Sequence, residues 1–124
     1  MLTTMIPEAT CFYYICLQEG AGQIKANAFN KWEQAIGPAQ IRPCFLQDAN
    51  EWRAKKGLEP FSHRDMYNYE NAFQACLAYW ERYGLETLEE RARAHCGGPD
   101  GPSEDCTLDY YNNLLQYVHR SDRN

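Results

Sequence analysis

Glu19 closes the run CFYYICLQEG (residues 11–20), where an apolar helical stretch meets a turn rich in glycine. A carboxyl at such a junction is partly shielded from water, which raises its pKa and lets it keep a proton for donation to a leaving oxygen. On position alone, a solvated glutamate near a helix end is the plainer reading. A second cluster, AIGPAQIRP (residues 35–43), turns the chain at Gly37 and Pro38 and presents the Gln40 amide, which can both donate to and accept from hydroxyl and acetamido groups. The third, RAHCGGPDG (residues 93–101), offers glycines that expose backbone amides to a ligand and is followed by TLDYYN (residues 107–112). Taken singly, the last two are loops beside helices.

The elements that would position these clusters are helical. Pro7 suits a first helical turn, and Phe12, Ile15 and Cys16 recur at helical spacing up to Glu19, where Gly20 and Gly22 end the helix. Residues 21–36 have no clear period and fit either a small hairpin or a loop. Pro43 opens a second helix with Ile41, Phe45, Ala49 and Trp52 on one face, closed by Lys55, Lys56 and Gly57. Ser62 with Asp65 resembles a cap before a long stripe of Phe73, Cys76, Leu77, Trp80 and Tyr83, the expected central core helix, ending at Gly84. Thr87 with Glu90 reads as a capping box for a short helix through His95, which CGGPDGP stops. Thr107 is expected to cap a last helix facing Leu108, Tyr111, Leu115 and Val118 inward. The expected fold is mainly α (α+β), with about five short helices around a central core helix, a small hairpin or loop after the first, and one domain over residues 1–124.

Bulk properties exclude several functions. A formal charge of −5 and a pI near 5.1 leave no basic stripe for a nucleic-acid backbone, so no nucleic-acid partner is expected. No apolar stretch is long enough for a membrane span. The opening MLTTMIPEATCF has neither the basic start nor the apolar core of an export signal. His63, His95, His119 and the cysteines lack the paired short spacing of zinc sites, and no glycine-rich loop follows a strand to hold phosphate. No cofactor or metal is expected. Six cysteines in so small a domain suit disulfides in an oxidising compartment, with 15 full pairings open.

In order and spacing, the three clusters resemble the invertebrate-type (destabilase) lysozymes, and related phage and bacterial lysozyme-like domains of the transglycosylase superfamily. The resemblance runs through Cys16 to Glu19, with Cys11 in register, through Gly37 to Ile41 with Asp48 soon after, and through Ala92 to Gly101 and Thr107 to Tyr110. It implies a lysozyme-like fold and a muramidase cleaving the β-1,4 bond between N-acetylmuramic acid and N-acetylglucosamine, with Glu19 as general acid. It also implies substrate contacts from Gly37, Gln40, Ile41, His95, Gly97, Gly98 and Tyr110. The implied partner is the peptidoglycan glycan strand, met by a monomer at an extracellular or cell-wall site.

Two departures modify that expectation. Asn30 stands where these enzymes place a second catalytic Asp, and an amide can serve neither as nucleophile nor as ionised stabiliser. Glu33 is the nearest replacement in sequence, either a base for water or a loop carboxylate. Cys96 replaces the Asn that usually follows the motif histidine. The alternatives left open are lytic transglycosylation by a single carboxylate and a catalytically silent glycan-binding module.

Overall fold

The computed structural model describes residues 6–122, so the export reading of the chain's opening falls mostly outside the described residues. Five α-helices carry the fold: α1 (Glu8–Glu19), α2 (Pro43–Lys55), α3 (Tyr69–Tyr83), α4 (Leu88–Gly97) and α5 (Leu108–Asp122). A two-stranded antiparallel sheet of β1 (Phe29–Asn30) and β2 (Ala35–Ile36) lies between α1 and α2. The architecture is therefore mainly α with a small hairpin, as expected from the sequence. No helix among the described residues is long and apolar enough to cross a membrane.

The hairpin resolves the stretch that periodicity could not assign. Phe29 pairs with Ile36 and Asn30 with Ala35, and a further bridge joins Ile36 to Ile41. With only two residues per strand, no alternating pattern could develop in the sequence. Turn chemistry holds the hairpin instead: Asn30 Oδ1 accepts the amides of Trp32 at 3.0 Å and Glu33 at 3.3 Å.

The core joins all five helices. Phe12 and Ile15 of α1 are fully buried, and Phe12 meets Tyr69 edge-on at 4.8 Å and Phe73 at 5.2 Å. Phe45 of α2 stacks on Tyr79 of α3 at 4.0 Å, so α3 is packed between α1 and α2. On α5 the buried face is centred on Leu114 and Tyr117, while Leu108 is exposed and Tyr111, Leu115 and Val118 lie at its margins. That centre is turned from the expected stripe because the helix packs on both α1 and α4.

Two caps differ from their sequence readings. Ser62 and Asp65 do form a capping box, but on a separate 3-10 turn (His63–Tyr67), and α3 starts afresh at Asn68, whose side chain accepts the Asn71 amide at 2.9 Å. Thr107 is fully buried; its hydroxyl accepts from Arg93 Nε at 2.9 Å and donates to the Gly101 carbonyl at 2.6 Å, so it ties α4 to the following turns rather than capping α5. The Thr87 box is present as read. Thr87 Oγ1 accepts the Glu90 amide at 3.1 Å, and Glu90 accepts the amides of Glu86 and Thr87, which together hold its carboxyl below the usual range. Thr87→Ala is expected to cost about 1 kcal/mol, read as a lower urea midpoint at unchanged m-value.

All six cysteines are free thiols: Cys11, Cys16 and Cys76 are buried, and Cys44, Cys96 and Cys106 are exposed. The disulfide expectation is corrected accordingly. The buried thiols behave as small apolar groups of the core, and burial raises their pKa values.

Candidate functional site

Glu19, Glu33, Gln40, Arg42, His95, Cys96 and Tyr110 line one cleft of about 230 Å³. They arrive from five parts of the fold. Glu19 ends α1, Glu33 sits in the hairpin loop, Gln40 and Arg42 lead into α2, His95 and Cys96 end α4, and Tyr110 lies in the first turns of α5. Glu19 and Tyr110 are 91 residues apart, and Tyr110 Oη donates to Glu19 Oε2 at 2.5 Å.

Burial dominates the electrostatics of this pair. It lifts the Glu19 carboxyl to about 7, with the Glu33 charge pushing the same way and the Tyr110 hydrogen bond and Arg42 opposing. Burial, reinforced by Glu19, also drives the Tyr110 phenol far above its usual range, so the phenol keeps its proton and remains the donor. Near neutrality Glu19 thus carries its proton about half the time. It can then give a hydrogen bond to a bound group as well as accept one.

His95 is closed to that exchange. Its Nε2 lies 2.6 Å from the Ala39 carbonyl, which only accepts, so Nε2 bears the hydrogen. Burial lowers its pKa to about 4, and the ring is neutral across the physiological range. Its edge packs on Phe45, and the side chain holds α4 against the loop before α2. Arg42 completes the cleft: Nη2 donates to the carbonyls of His95 at 3.2 Å and Cys96 at 3.5 Å at the end of α4.

The residues read from the sequence divide into two groups. Glu19, Glu33, Gln40, His95 and Tyr110 are brought together. Asn30 is not, because its carbonyl oxygen is committed to its own loop. Ile41 is fully buried in the core and offers the cleft no polar atom. Gly37 is a structural turn at φ +80° beside the Met66 carbonyl, and Gly97 faces the Thr107 side chain; neither lines the cleft. Gly98 has open space around it but stands outside the lining residues. Even Gln40 is partly occupied, its Nε2 donating to the Gly37 carbonyl at 3.0 Å.

Arg42 and Cys96 were missed as cleft residues. The only signal for Arg42 was its place before Pro43, which biases it to extended backbone, observed at φ −86° and ψ 155°. A larger groove of about 470 Å³ runs along α2, but its polar groups are already committed. Asn50 is bonded to the Phe61 backbone, His63 to the Ile41 carbonyl and Glu51 to Arg82. Among the described residues no group of three His, Cys, Asp or Glu side chains is placed to hold a metal ion.

Fold and cleft together define a mainly helical α+β domain with a polar cleft where helix ends converge. No family model and no curated protein matches the sequence. Among solved structures the chain is similar to one from the crystal structure of Aeromonas hydrophila PliI in complex with Meretrix lusoria lysozyme, with a TM-score of 0.71 and 20% identity over 94% of this chain and 93% of that one. The likeness carries the fold and, at this identity, no reaction.

This finding corrects the enzymatic expectation. The solved neighbour comes from a complex of PliI with a lysozyme, and the expectation of a peptidoglycan-cleaving glycoside hydrolase is withdrawn on that match. The muramidase, transglycosylase and bacteriolytic readings are set aside with it.

Proposed function

We propose that the chain is a binding protein on a lysozyme-like scaffold, which takes a loop of a protein partner into the Glu19 cleft. The observation that carries this reading is the composition of the cleft and its rim. In the hairpin loop, Trp32 is 86% exposed, next in sequence to Glu33 of the cleft, and Phe29 at the base of the hairpin is 55% exposed. Large exposed rings beside a recessed polar floor match the anatomy of protein interfaces, where aromatic anchors supply affinity and a few polar groups fix orientation. The Lys31 ammonium lies 5.0 Å from the Trp32 ring centre, covering one side of it.

The scaffold assignment is supported by the sequence resemblance over Cys16 to Glu19, Gly37 to Ile41 and Ala92 to Gly101. The role as binder is supported by the solved neighbour, itself a complex of two proteins. Asn30 adds to it, since the position expected to carry a second catalytic carboxylate holds an amide bonded within its own loop.

The test is calorimetric titration of the chain with each protein of that complex, PliI and the Meretrix lusoria lysozyme. Saturable binding of one of them is expected, weakened by roughly 30-fold in Trp32→Ala. Two results would overturn the reading: no binding of either protein, or release of fragments from purified peptidoglycan by the chain alone that Glu19→Gln abolishes.

A further inference from the structure

Resting on the binding reading, we infer that the cleft takes the ammonium group of a lysine on the partner's inserted loop, held between Glu19 and Glu33. Both carboxylates line the cleft, and among the described residues neither has a cation within 4.0 Å. Arg42 is the one cationic lining residue, and its Nη2 is spent on the His95 and Cys96 carbonyls at the end of α4. With Glu19 ionised, two negative charges share the cleft with one positive charge. An added cation balances them.

The hydrogen-bonding inventory points the same way. Donors of the cleft are largely committed: Tyr110 Oη to Glu19 Oε2, Gln40 Nε2 to the Gly37 carbonyl and His95 Nε2 to the Ala39 carbonyl. Acceptors are not. Among the described residues no donor reaches Gln40 Oε1, Glu19 Oε1 or either side-chain oxygen of Glu33. His95 Nδ1 is a further unpaired acceptor, on a side chain only 6% exposed. An ammonium brings three donors on a compact charge, which suits acceptors contributed by three separate segments: α1, the hairpin loop and the stretch before α2. A guanidinium fits less well, because Glu19 Oε2 already holds the Tyr110 hydroxyl and leaves one oxygen where a planar fork engages two.

Capture of the ammonium is coupled to the Glu19 proton. The groups that face Glu19 are Glu33 of the hairpin loop, Arg42 before α2, His95 and Cys96 of α4, Tyr110 of α5 and Cys16 of its own helix. Between pH 5 and pH 8 Arg42 keeps its charge, His95 is neutral, and burial keeps the protons on Cys16, Cys96 and Tyr110. Glu19 titrates near 7, inside that range. A cation beside it favours the ionised form, so binding releases the proton and strengthens as pH rises.

Side-chain carboxyl signals of Glu19 and Glu33 in carbon-13 spectra read the site directly. Titration with N-acetyl-lysine N-methylamide is expected to shift both saturably, and the Nε-acetylated compound to shift neither. With saturating ligand the Glu19 midpoint should fall by about 1 pH unit, and affinity should rise about 10-fold from pH 5 to pH 8. Glu19→Gln should bind without that pH dependence. Glu33→Gln should keep it while binding about 5-fold more weakly. No shift from the lysine compound would overturn the inference, as would equal shifts from it and its acetylated form. Tighter binding of the arginine analogue would overturn it too, and so would tighter binding of glucosamine, whose ammonium sits on a sugar and would assign the site to a glycan. The lysine titration requires no protein partner, so its failure and a failure to bind PliI or lysozyme are separate results. If Glu19→Gln does not fold, the wild-type pH series and Glu33→Gln, in an exposed loop, decide alone.

Discussion

Replacement of Gly37 by alanine is expected to destabilise the protein by roughly 4 kcal/mol, a large part of the stability of a domain this size. Gly37 sits at φ +80°, and a Cβ there would lie 2.0 Å from the Met66 carbonyl oxygen and 2.9 Å from its carbon. Both are backbone atoms of the 3-10 turn before α3, so no side-chain rotation relieves the clash. Left-handed backbone costs a non-glycine residue about 1–2 kcal/mol, and forced displacement in a packed region about 1–3 kcal/mol more. Gly57 supplies the control: its φ is +75°, but nothing lies within 4 Å of its would-be Cβ. Gly57→Ala should therefore show only the backbone part, about 1–2 kcal/mol. Urea unfolding of the two variants separates the terms, and equal losses would remove the close approach to Met66 from the account. The consequence reaches the cleft, because the Gly37 amide and carbonyl brace Ala28 on one side and Gln40 on the other.

Local chemistry explains why the helices were legible and the cleft only partly so. Thr87 and Glu90 announce α4, because both halves of the capping box lie within four residues. Gly84 marks the end of α3 through its own left-handed backbone. The hairpin gave no such signal, having two residues in each strand and an asparagine where a second catalytic carboxylate was sought. The cleft depends on contacts across the chain. Arg42 meets the backbone of residues 53 and 54 positions away, and Tyr110 meets Glu19 across 91. No periodicity encodes such pairings. Motif resemblance brought Glu19, Gln40, His95 and Tyr110 onto the same list, yet it could not distinguish a side chain facing the cleft from one, like Ile41, filling the core.

The contribution of Glu19 to stability should fall with rising pH, and Glu19→Gln should remove that fall. The Glu19 carboxyl titrates near 7 in the folded chain against an ordinary value of 4.5. Below about pH 4.5 the folded and unfolded chains both hold the proton, and the full stability is present. Between 4.5 and 7 the unfolded chain ionises first, so stability declines; above 7 both are ionised and the decline ends. The loss amounts to about 3 kcal/mol. His95 acts in the opposite sense, since burial lowers its folded value to about 4 and the unfolded chain binds the extra proton up to its ordinary 6.5. Stability from His95 therefore rises with pH over a window that overlaps the Glu19 decline, and the wild-type profile alone can look nearly flat. The variant separates them. Glutamine keeps an oxygen to accept from Tyr110 but cannot ionise, so Glu19→Gln should gain about 3 kcal/mol on wild type between pH 4 and pH 8, measured as the change in their difference in unfolding free energy. An unchanged difference across that range would mean that Glu19 is solvated like a surface carboxylate. A persistent gain would identify the cleft as a site held at a cost in stability, as expected where a desolvated acid is kept ready for a ligand.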